Sequence, residues 1–322
     1  MSKDLALESV LAHFKNLTLE VLENLADVEH RREVLDRYFA ISAEVMESTI
    51  TPRHVSVGDR PGYWFVPEGH DGQRRLLYIH GGSWMSGSVK GWTAFVARLA
   101  EACDCAVLFI DYSLMPEAPF PAGLNDCLMA YEWLWDNAPS ETASVKKVKA
   151  EKVFIAGDSA GGNLTLACLL AIKDSSSSST SQLIMPDAAL AISPCTDFTA
   201  SGETMRTHQE RDPIINGLAI PFLAKAYLID SMHEVTYPLA SPLFGDLSGL
   251  PPLMLQTGEA EVLLDDTLRF AKKAKQAGVD VLLDTWPDMP HVFQGFAPFL
   301  PQASEAIARI GEFFRLDKKA IK

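Results

Sequence analysis

The sequence predicts an α/β fold with a mainly parallel central β-sheet that is buried on both faces. Apolar segments of strand length recur, and most are continuous rather than alternating, as in a sheet covered by helices on both sides. These segments are residues 76–79, 106–110, 153–156, 188–192, 253–256 and 281–284. Segments of helical character follow or separate them, at residues 91–103, 123–137, 161–173, 265–277 and 301–315. Strands that alternate with helices in this way are typical of a parallel sheet flanked by helices.

Composition limits the classes of partner. The chain has 322 residues, is 48% hydrophobic and carries a formal net charge of -14. The acidic balance argues against nucleic acid and anionic membrane surfaces, because both reward clustered Lys and Arg. The N-terminal sequence MSKDLALESVLAHF lacks the features of a signal peptide, and no apolar run is long enough to span a bilayer. We therefore predict a cytoplasmic protein that binds neither nucleic acid nor membrane.

The cysteines predict no disulfide framework and no metal site. Their number is odd and their spacing scattered: Cys103, Cys105, Cys127, Cys168 and Cys195. Cys103 and Cys105 have no second Cys or His pair to complete a zinc site. Buried, reduced thiols are the expectation, and we predict no metal and no cofactor.

Segments outside the sheet pattern complete the outline. Apolar residues recur at helical spacing before Pro52 and predict two or three helices: Leu5, Val10, Leu11, Phe14, Leu19, Val21, Leu22, Leu25, Val34, Leu35, Phe39 and Val45. Residues 54–67 alternate and predict a β-hairpin with its turn at residues 58–62. The serine run at 175–179 predicts a surface loop. Residues 197–232 break the strand–helix rhythm and predict an insertion over the sheet.

The stretch IAGDSAGGN, residues 155–163, places one serine among very small residues. A predicted strand runs into it and a predicted helix runs out of it, so residues 157–161 fit Gly-x-Ser-x-Gly in a strand–turn–helix context. The glycines two residues on either side of Ser159 remove steric conflict at a sharp turn. The start of the helix favours negative charge. We predict Ser159 as a nucleophile; an ordinary glycine-rich turn is the alternative.

A serine nucleophile needs a base, and His291 is the best placed of the eight histidines. It lies in TWPDMPHVFQGF, after a predicted strand, at the sheet edge where Ser159 also emerges. His80 is the other histidine expected at that edge, but two glycines follow it and favour a different role.

The segment HGGSW, residues 80–84, predicts an oxyanion hole. It follows the strand at 76–79, and its glycines let backbone N–H groups point at one spot, where acyl transfer builds negative charge. We assign the hole to Gly81, Gly82, Ser83 and Ala160, and expect the donors to be the N–H groups of the last three. A plain tight turn is the alternative.

The third member of a serine–histidine pair is an acid, expected between the other two in the chain. Four carboxylates follow the strand at 253–256: Glu259, Glu261, Asp265 and Asp266. Asp265 and Asp266 begin a predicted helix, so helix capping and the helix dipole explain them. Glu261 lies in the loop directly after the strand and is our preferred acid. Asp288, three residues before His291, is the main alternative.

These motifs together resemble the hormone-sensitive-lipase-like branch of the α/β-hydrolases, as found in bacterial esterases. The match covers about residues 54–316 and rests on HGGSW, DYSLMPEAPFPAGLNDCLMAYEWL, GDSAGGN and GVDVLLDTWPDMPHVF. The resemblance implies Ser159 as nucleophile and His291 as base. Two departures stand out: Ser83 replaces the family's third glycine, and Glu261 stands where the family usually has Asp.

The resemblance also implies an α/β-hydrolase fold with a helical cap. Residues 1–50 would form an N-terminal cap region and residues 51–322 the catalytic domain, with a further cap insertion at about 197–236. Five apolar residues of the insertion are candidates for an acyl pocket, with plain packing on the sheet as the alternative for each: Met205, Ile214, Ile215, Phe222 and Leu223. A homodimer is a further expectation from the resemblance.

The predicted function is hydrolysis of carboxylic esters with short- to medium-chain acyl groups. Ser159, His291 and Glu261 would act through an acyl-enzyme intermediate on a small-molecule ester. An amidase or deacetylase with the same triad, or a ligand-binding relative without catalysis, are the alternatives.

Overall fold

The strands form one large sheet and one small one. The computed structural model describes residues 3–24, 26–44, 48–139, 146–175 and 183–315. Its strands are β1 (Arg53–Val57), β2 (Arg60–Phe65), β3 (Arg74–Ile79), β4 (Ala106–Ile110), β5 (Asn137–Ala138), β6 (Lys146–Lys147), β7 (Lys152–Asp158), β8 (Ala188–Ile192), β9 (Leu253–Gly258) and β10 (Val281–Trp286). The large sheet has the order β1-β2-β4-β3-β7-β8-β9-β10, while β5 pairs with β6.

Helices precede and separate the strands. They are α1 (Lys3–Glu23), α2 (Val28–Leu35), α3 (Ala40–Ala43), α4 (Val89–Cys103), α5 (Ala122–Asp136), α6 (Ala160–Ser175), α7 (Thr204–Thr207), α8 (Ile220–Tyr227), α9 (Leu264–Gln276) and α10 (Pro301–Arg315). Short 3₁₀ helices cover Gly217–Ala219, Pro242–Phe244 and Phe293–Phe296. All six strands and five helices predicted within the α/β region are therefore present, with ends that differ by a few residues.

The sheet is mainly parallel, as predicted. In the large sheet, the pairs β4–β3, β3–β7, β7–β8, β8–β9 and β9–β10 run parallel, while β1–β2 and β2–β4 run antiparallel. The hairpin is also confirmed, but its turn is shorter than expected. Gly62 lies inside β2 opposite Val55, because the register of β1 and β2 leaves only residues 58 and 59 for the turn. A Cβ at Gly62 would meet Val57 Cγ2 at 2.8 Å, so close strand packing explains this glycine.

Alternate residues of the central strands feed two hydrophobic cores, one on each face of the sheet. In β3, Leu77 and Ile79 belong to the core covered by α5, α6 and α9. Leu76 and Tyr78 belong to the core covered by α4 and α10. Both faces are buried, which explains why the strands read as continuous apolar runs.

The predicted N-terminal helices are α1, α2 and α3. This N-terminal region contacts both the insertion and the sheet edge. The hydroxyl of Thr18 donates to the carbonyl of Pro213 at 3.1 Å, and that of Tyr38 donates to the carbonyl of His291 at 3.3 Å. None of residues 197–236, all described, forms a strand, in keeping with an insertion between β8 and β9. Leu25, Val45 and residues 176–179 of the serine run lie outside the described residues.

The cysteines are free and buried at all five positions, as predicted. Within the ranges that the structure describes, no group of three or more His, Cys, Asp or Glu is placed to hold a metal ion. Over the same ranges, no helix combines the length and apolarity needed to cross a membrane.

Candidate active site

Ser159 occupies the turn between β7 and α6 in a backbone conformation that non-glycine residues rarely adopt. Its φ is 54°, in the left-handed region, and α6 begins at the next residue. The N–H of Ser159 donates to the carbonyl of Ile192 on the neighbouring strand at 2.8 Å. This strained turn is held by the sheet on one side and the helix on the other, and such strain is typical of a functional position.

The small residues around Ser159 are explained by how closely three backbone segments approach one another. A Cβ at Gly161 would overlap the carbonyl oxygens of Ile79 and His80 at the end of β3. A Cβ at Gly157 would overlap the carbonyl of Gly161 and lie 2.6 Å from that of Ile79. Only glycine fits at both positions, so the turn can press against β3 and present the serine.

The structure brings Ser159, His291 and Glu261 together. His291 Nε2 lies 2.9 Å from Ser159 Oγ, and its Nδ1 lies 2.8 Å from Glu261 Oε2. His291 follows β10 and Glu261 follows β9, so the carboxyl ends of three parallel strands supply the three side chains. Both His291 and Glu261 are almost fully buried, which strengthens the attraction between the imidazole and the carboxylate.

The second oxygen of Glu261 fixes the orientation of the carboxylate. Oε1 accepts the N–H of Gly258 at 2.6 Å, the hydroxyl of Ser193 at 2.7 Å and the hydroxyl of Thr257 at 3.2 Å. Three donors on one oxygen leave Oε2 free to face the imidazole. The longer side chain of glutamate therefore makes the contact that the family's aspartate would make.

The competing carboxylates all have other partners. Asp265 accepts the N–H of Thr204 at 3.1 Å, Asp288 is exposed and pairs with Arg211 at 3.4 Å, and Glu259 accepts the hydroxyl of Thr285 at 3.1 Å. Asp266 accepts the N–H groups of Thr196 and Asp197 at 2.6 and 2.9 Å and pairs with Arg269. The capping explanation for Asp265 and Asp266 is wrong, because these carboxylates bind N–H groups of the segment that leaves β8 rather than those of α9.

The electrostatic surroundings make His291 a stronger base than an exposed histidine. Burial lowers the pKa of His291, but the hydrogen bond and charge of Glu261, aided by the charges of Asp212 and Asp158, outweigh burial and raise it above 6.5. For Asp158, burial raises the pKa to about 6 in spite of the hydrogen bonds that it accepts. Three carboxylates thus face one imidazole in a buried site.

The HGGSW loop and the start of α6 together offer three N–H groups that are free to point into the site. Gly82 and Ser83 adopt positive φ values of 111° and 56°, and both line a cavity together with Ser159 and His291. Within the described part of the chain, the N–H groups of Gly82, Ser83 and Ala160 donate no hydrogen bond. The N–H of Gly81, which was not among the three expected donors, is engaged inside the protein, because it donates to Asp158 Oδ1 at 3.1 Å.

His80 supports this loop rather than acting as a base. Its imidazole stacks on Tyr112 with ring centroids 4.4 Å apart, and its Nδ1 lies 2.7 Å from the carbonyl of Gly81. Burial lowers the pKa of His80 to about 4, so the ring is neutral at physiological pH.

Two adjacent cavities lie at Ser159 and beside it. A cavity of about 60 Å³ is lined by Ser159 and His291, and a second of about 310 Å³ opens beside it. They share five lining residues: Leu35, Gly82, Ser83, Ile214 and Ile215. The larger cavity extends between α1, α2 and α8, and Arg31 is the charged residue among its described lining.

The five pocket candidates from the insertion divide into three groups. Ile214 and Ile215 line both cavities, and Leu223 lines the larger one. Met205 is buried in the core that contains α6, and Phe222 is 77% exposed; neither lines these cavities. Plain packing therefore explains Met205, and the outward position of Phe222 on α8 excludes it from the pocket wall.

Sequence reasoning missed three polar residues at the site. Asp158 lies inside the Gly-x-Ser-x-Gly motif, and its place before Ser159 at a strand end was a usable signal. Ser193 directly follows β8, so its position at the same sheet edge also pointed to the site. Asp212 gave no such signal, since it lies far from any strand end in the chain.

The sequence is similar to a family model and to hydrolases of known sequence. The family model described as alpha/beta hydrolase fold matches residues 76–295. An acetyl-hydrolase of Streptomyces hygroscopicus is 36% identical over 261 residues, which cover 81% of this chain and 81% of that protein. An esterase of Acinetobacter venetianus is 35% identical over 238 residues, covering 74% and 73%.

A solved structure agrees over the whole length. The crystal structure of an esterase from the bacterial hormone-sensitive lipase family is 35% identical, with a TM-score of 0.83 and 100% coverage of both chains. This chain belongs to the α/β-hydrolase family, in its hormone-sensitive-lipase-like branch.

Proposed function

We propose that this chain is a serine carboxylesterase that hydrolyses small-molecule esters of short- to medium-chain acids. The observation that carries the proposal is the buried, continuous contact from Ser159 Oγ through the His291 ring to Glu261, beside an apolar cavity. The names of the acetyl-hydrolase and esterase relatives support an ester as the bond that is cleaved.

The first half of the reaction forms an acyl-enzyme. Ser159 Oγ attacks the ester carbonyl carbon while His291 Nε2 takes its proton, which the 2.9 Å separation allows. Glu261 accepts a hydrogen bond from the Nδ1–H group of His291, keeps the ring in the tautomer that leaves Nε2 free, and stabilises the imidazolium. The tetrahedral intermediate collapses when His291 returns the proton to the departing alcohol.

The second half releases the acid. Water enters where the alcohol left, His291 takes a proton from it, and the resulting nucleophile attacks the acyl carbon. Collapse of the second intermediate returns the proton to Ser159. The raised pKa of His291 supports this role, because a stronger base holds the proton better in each transition state.

The free N–H groups of Gly82, Ser83 and Ala160 would hold the negative oxygen in both intermediates. Loss of one such donor costs on the order of 100- to 1,000-fold in kcat in serine hydrolases. Ser83 contributes through its backbone, so a serine in place of the family's third glycine keeps the donor.

The cavities suggest how an ester would bind. The smaller cavity of about 60 Å³ suits the reacting carbonyl, and the larger one of about 310 Å³ offers apolar walls to a longer substituent. Residues 1–50 and 197–236 supply walls of the larger cavity, including Val21, Val28 and Leu223. We infer that these two segments act together as a cap over the site.

Location and assembly are part of the proposal. A cytoplasmic location agrees with five free, buried thiols, which a reducing compartment preserves. A homodimer stays an expectation from the family resemblance.

The test is hydrolysis of p-nitrophenyl esters from acetate to laurate by wild type and by Ser159→Ala. Ser304→Ala, an exposed serine on α10, is the matched control. We expect wild type and the control to prefer the shorter esters and Ser159→Ala to lose nearly all activity. The matching p-nitroanilides distinguish an esterase from an amidase.

A folded wild type that is inert on every chain length would remove the esterase proposal. Equal activity in wild type and Ser159→Ala would remove the assignment of the nucleophile. Circular dichroism of each variant separates loss of catalysis from loss of fold.

A further inference from the structure

A further buried carboxylate, Asp212, lies close to the site but does not touch the reacting groups. It belongs to the insertion and is only 5% exposed. No Lys or Arg in the described part of the chain forms an ion pair with it. Instead, three backbone N–H groups hold its two oxygens. Burial of a carboxylate costs free energy unless well-aligned hydrogen bonds compensate for the lost water. The three N–H groups that bind Asp212 therefore indicate what its position depends on.

One oxygen of Asp212 shapes the pocket wall. Oδ1 accepts the N–H groups of Ile214 at 2.9 Å and Ile215 at 3.0 Å. These two residues are the ones from the insertion that line both cavities. The carboxylate therefore fixes the turn that presents them to the substrate.

The other oxygen reaches the loop that carries the acid. Oδ2 accepts the N–H of Val262 at 2.8 Å, and Val262 directly follows Glu261. The hydroxyl of Thr204, also in the insertion, donates to the carbonyl of Val262 at 2.8 Å. Both backbone groups of the residue after the acid are thus bound by the insertion.

The charge of Asp212 also reaches the imidazole. The charged groups that face His291 are Glu261, Asp212 and Asp158, and all three favour its protonated form. The hydroxyl of Ser159 lies 2.9 Å from the ring, and that of Tyr38 donates to the backbone carbonyl of His291. Of the three carboxylates, only Asp212 comes from the insertion.

We propose that Asp212 is a positioning residue that couples the pocket wall at Ile214 and Ile215 to the loop carrying Glu261. The proposal rests on the function proposed above for Ser159, His291 and Glu261. It assigns to the insertion a part in orienting the acid, in addition to enclosing the substrate. A small displacement of Ile214 or Ile215 would be passed to the acid loop through one carboxylate.

Three variants separate charge from geometry. Asp212→Asn keeps the shape, removes the charge and turns an amide NH₂ toward an N–H group that needs an acceptor. Thr204→Val removes the other bond to Val262, together with the bond that the hydroxyl accepts from the N–H of Asp265 at 3.0 Å, and leaves the charges around His291 unchanged. Asp288→Asn is the control, because Asp288 is near His291 in the chain but is exposed.

The measurements are the pKa of His291 by NMR titration, amide exchange at Val262, and the pH profile of kcat/KM for p-nitrophenyl butyrate. For Asp212→Asn we expect a lower pKa of His291, an acidic limb moved to lower pH, and a kcat reduced by about tenfold. Misplaced groups away from the reacting atoms can cost up to about 100-fold. Thr204→Val should speed exchange at Val262 and reduce kcat with the acidic limb unchanged, and Asp288→Asn should match wild type in all three.

A wild-type pKa of His291 together with wild-type exchange at Val262 in Asp212→Asn would overturn the proposal. If Asp212→Asn does not fold, Thr204→Val decides: unchanged exchange and unchanged kcat would likewise overturn it. If wild type hydrolyses no ester, the proposed function fails, while the NMR titration and the exchange rates still judge the role of Asp212.

Discussion

The carboxylate of Asp158 accepts the N–H of Gly81 at 3.1 Å, which joins the residue before the proposed nucleophile to the loop that carries the proposed oxyanion donors. The same oxygen accepts the hydroxyl of Tyr78 at 2.6 Å and the indole N–H of Trp92 at 2.9 Å. One buried acceptor therefore holds three donors. The placement of Gly82 and Ser83 depends on this arrangement.

Asp158→Ala should lower both stability and kcat. It leaves three buried donors without an acceptor, and each such donor costs about 1–3 kcal/mol. Release of Gly81 should also move the oxyanion donors, reducing kcat by about tenfold or more. Asp158→Asn keeps an acceptor oxygen at the same place and should retain most of the stability and most of kcat. Urea denaturation and esterase kinetics check this; wild-type behaviour of Asp158→Ala would contradict it.

Asp158→Asn should gain stability relative to wild type as the pH rises. Burial raises the pKa of Asp158 from 3.8 to about 6 in the folded protein. The folded state then keeps its proton at pH values where the unfolded state has lost it. The contribution of Asp158 to the free energy of unfolding therefore decreases as the pH rises from about 4 to about 6, and it stays low at higher pH. Thermal unfolding of both proteins at several pH values tests this, and parallel curves would refute it.

Glu261→Gln should abolish most activity, whereas Asp288→Asn should not. Three donors face Oε1 of Glu261, so the amide oxygen of Gln should take that place and its NH₂ should face His291 Nδ1. This selects the tautomer protonated at Nε2, which cannot accept the Ser159 proton. A loss of kcat on the order of 1,000- to 10,000-fold is expected, as for the equivalent change in other serine hydrolases. The reverse ranking of the two variants would assign the acid to Asp288.

Gly161→Ala should be far more damaging than Gly69→Ala. The added Cβ at Gly161 would overlap backbone carbonyls at the end of β3, which cannot move without shifting the sheet. Gly69 has a φ of +74° but nothing within 4 Å of a Cβ, so only backbone strain of about 1 kcal/mol is expected. Loss of more than about 3 kcal/mol, or insolubility, is expected for Gly161→Ala. Chemical denaturation compares the two variants, and similar stabilities would show that the turn between β7 and α6 packs less tightly than the structure indicates.

Leu223→Trp should shift the substrate preference toward shorter esters. Leu223 lines the larger cavity but not the smaller one beside Ser159, so the added ring should fill space used by longer substituents. Each buried methylene contributes about 0.8 kcal/mol. If two or three methylenes of the octanoate ester can no longer be buried, kcat/KM for that ester falls by at least about tenfold. Activity on the acetate ester should stay close to wild type. Phe222→Trp, on the exposed face of α8, is the matched control.

Much of the fold could be predicted from the sequence because its signals are local. A strand covered on both faces must be apolar throughout, so the runs at 106–110 and 188–192 predicted β4 and β8 with the observed ends. The nucleophile turn is local as well, since glycine is required two residues before and after Ser159. His291 and Glu261 followed from position, because parallel strands bring their carboxyl ends to one edge. In these cases the chain itself carries the constraint.

Tertiary structure decided what depends on contacts between distant segments. Position in the chain favoured Glu261 as the acid but did not exclude Asp265, Asp266 and Asp288. Packing gives those three carboxylates other partners and places Glu261 against His291. The engagement of Gly81 by Asp158 depends on two loops that meet only in the folded sheet. The hydrogen bond from the N–H of Val262 to Asp212 joins two residues that are fifty positions apart in the chain. Sequence periodicity reports which face of an element is buried; the partner of a buried polar group is set by three-dimensional packing.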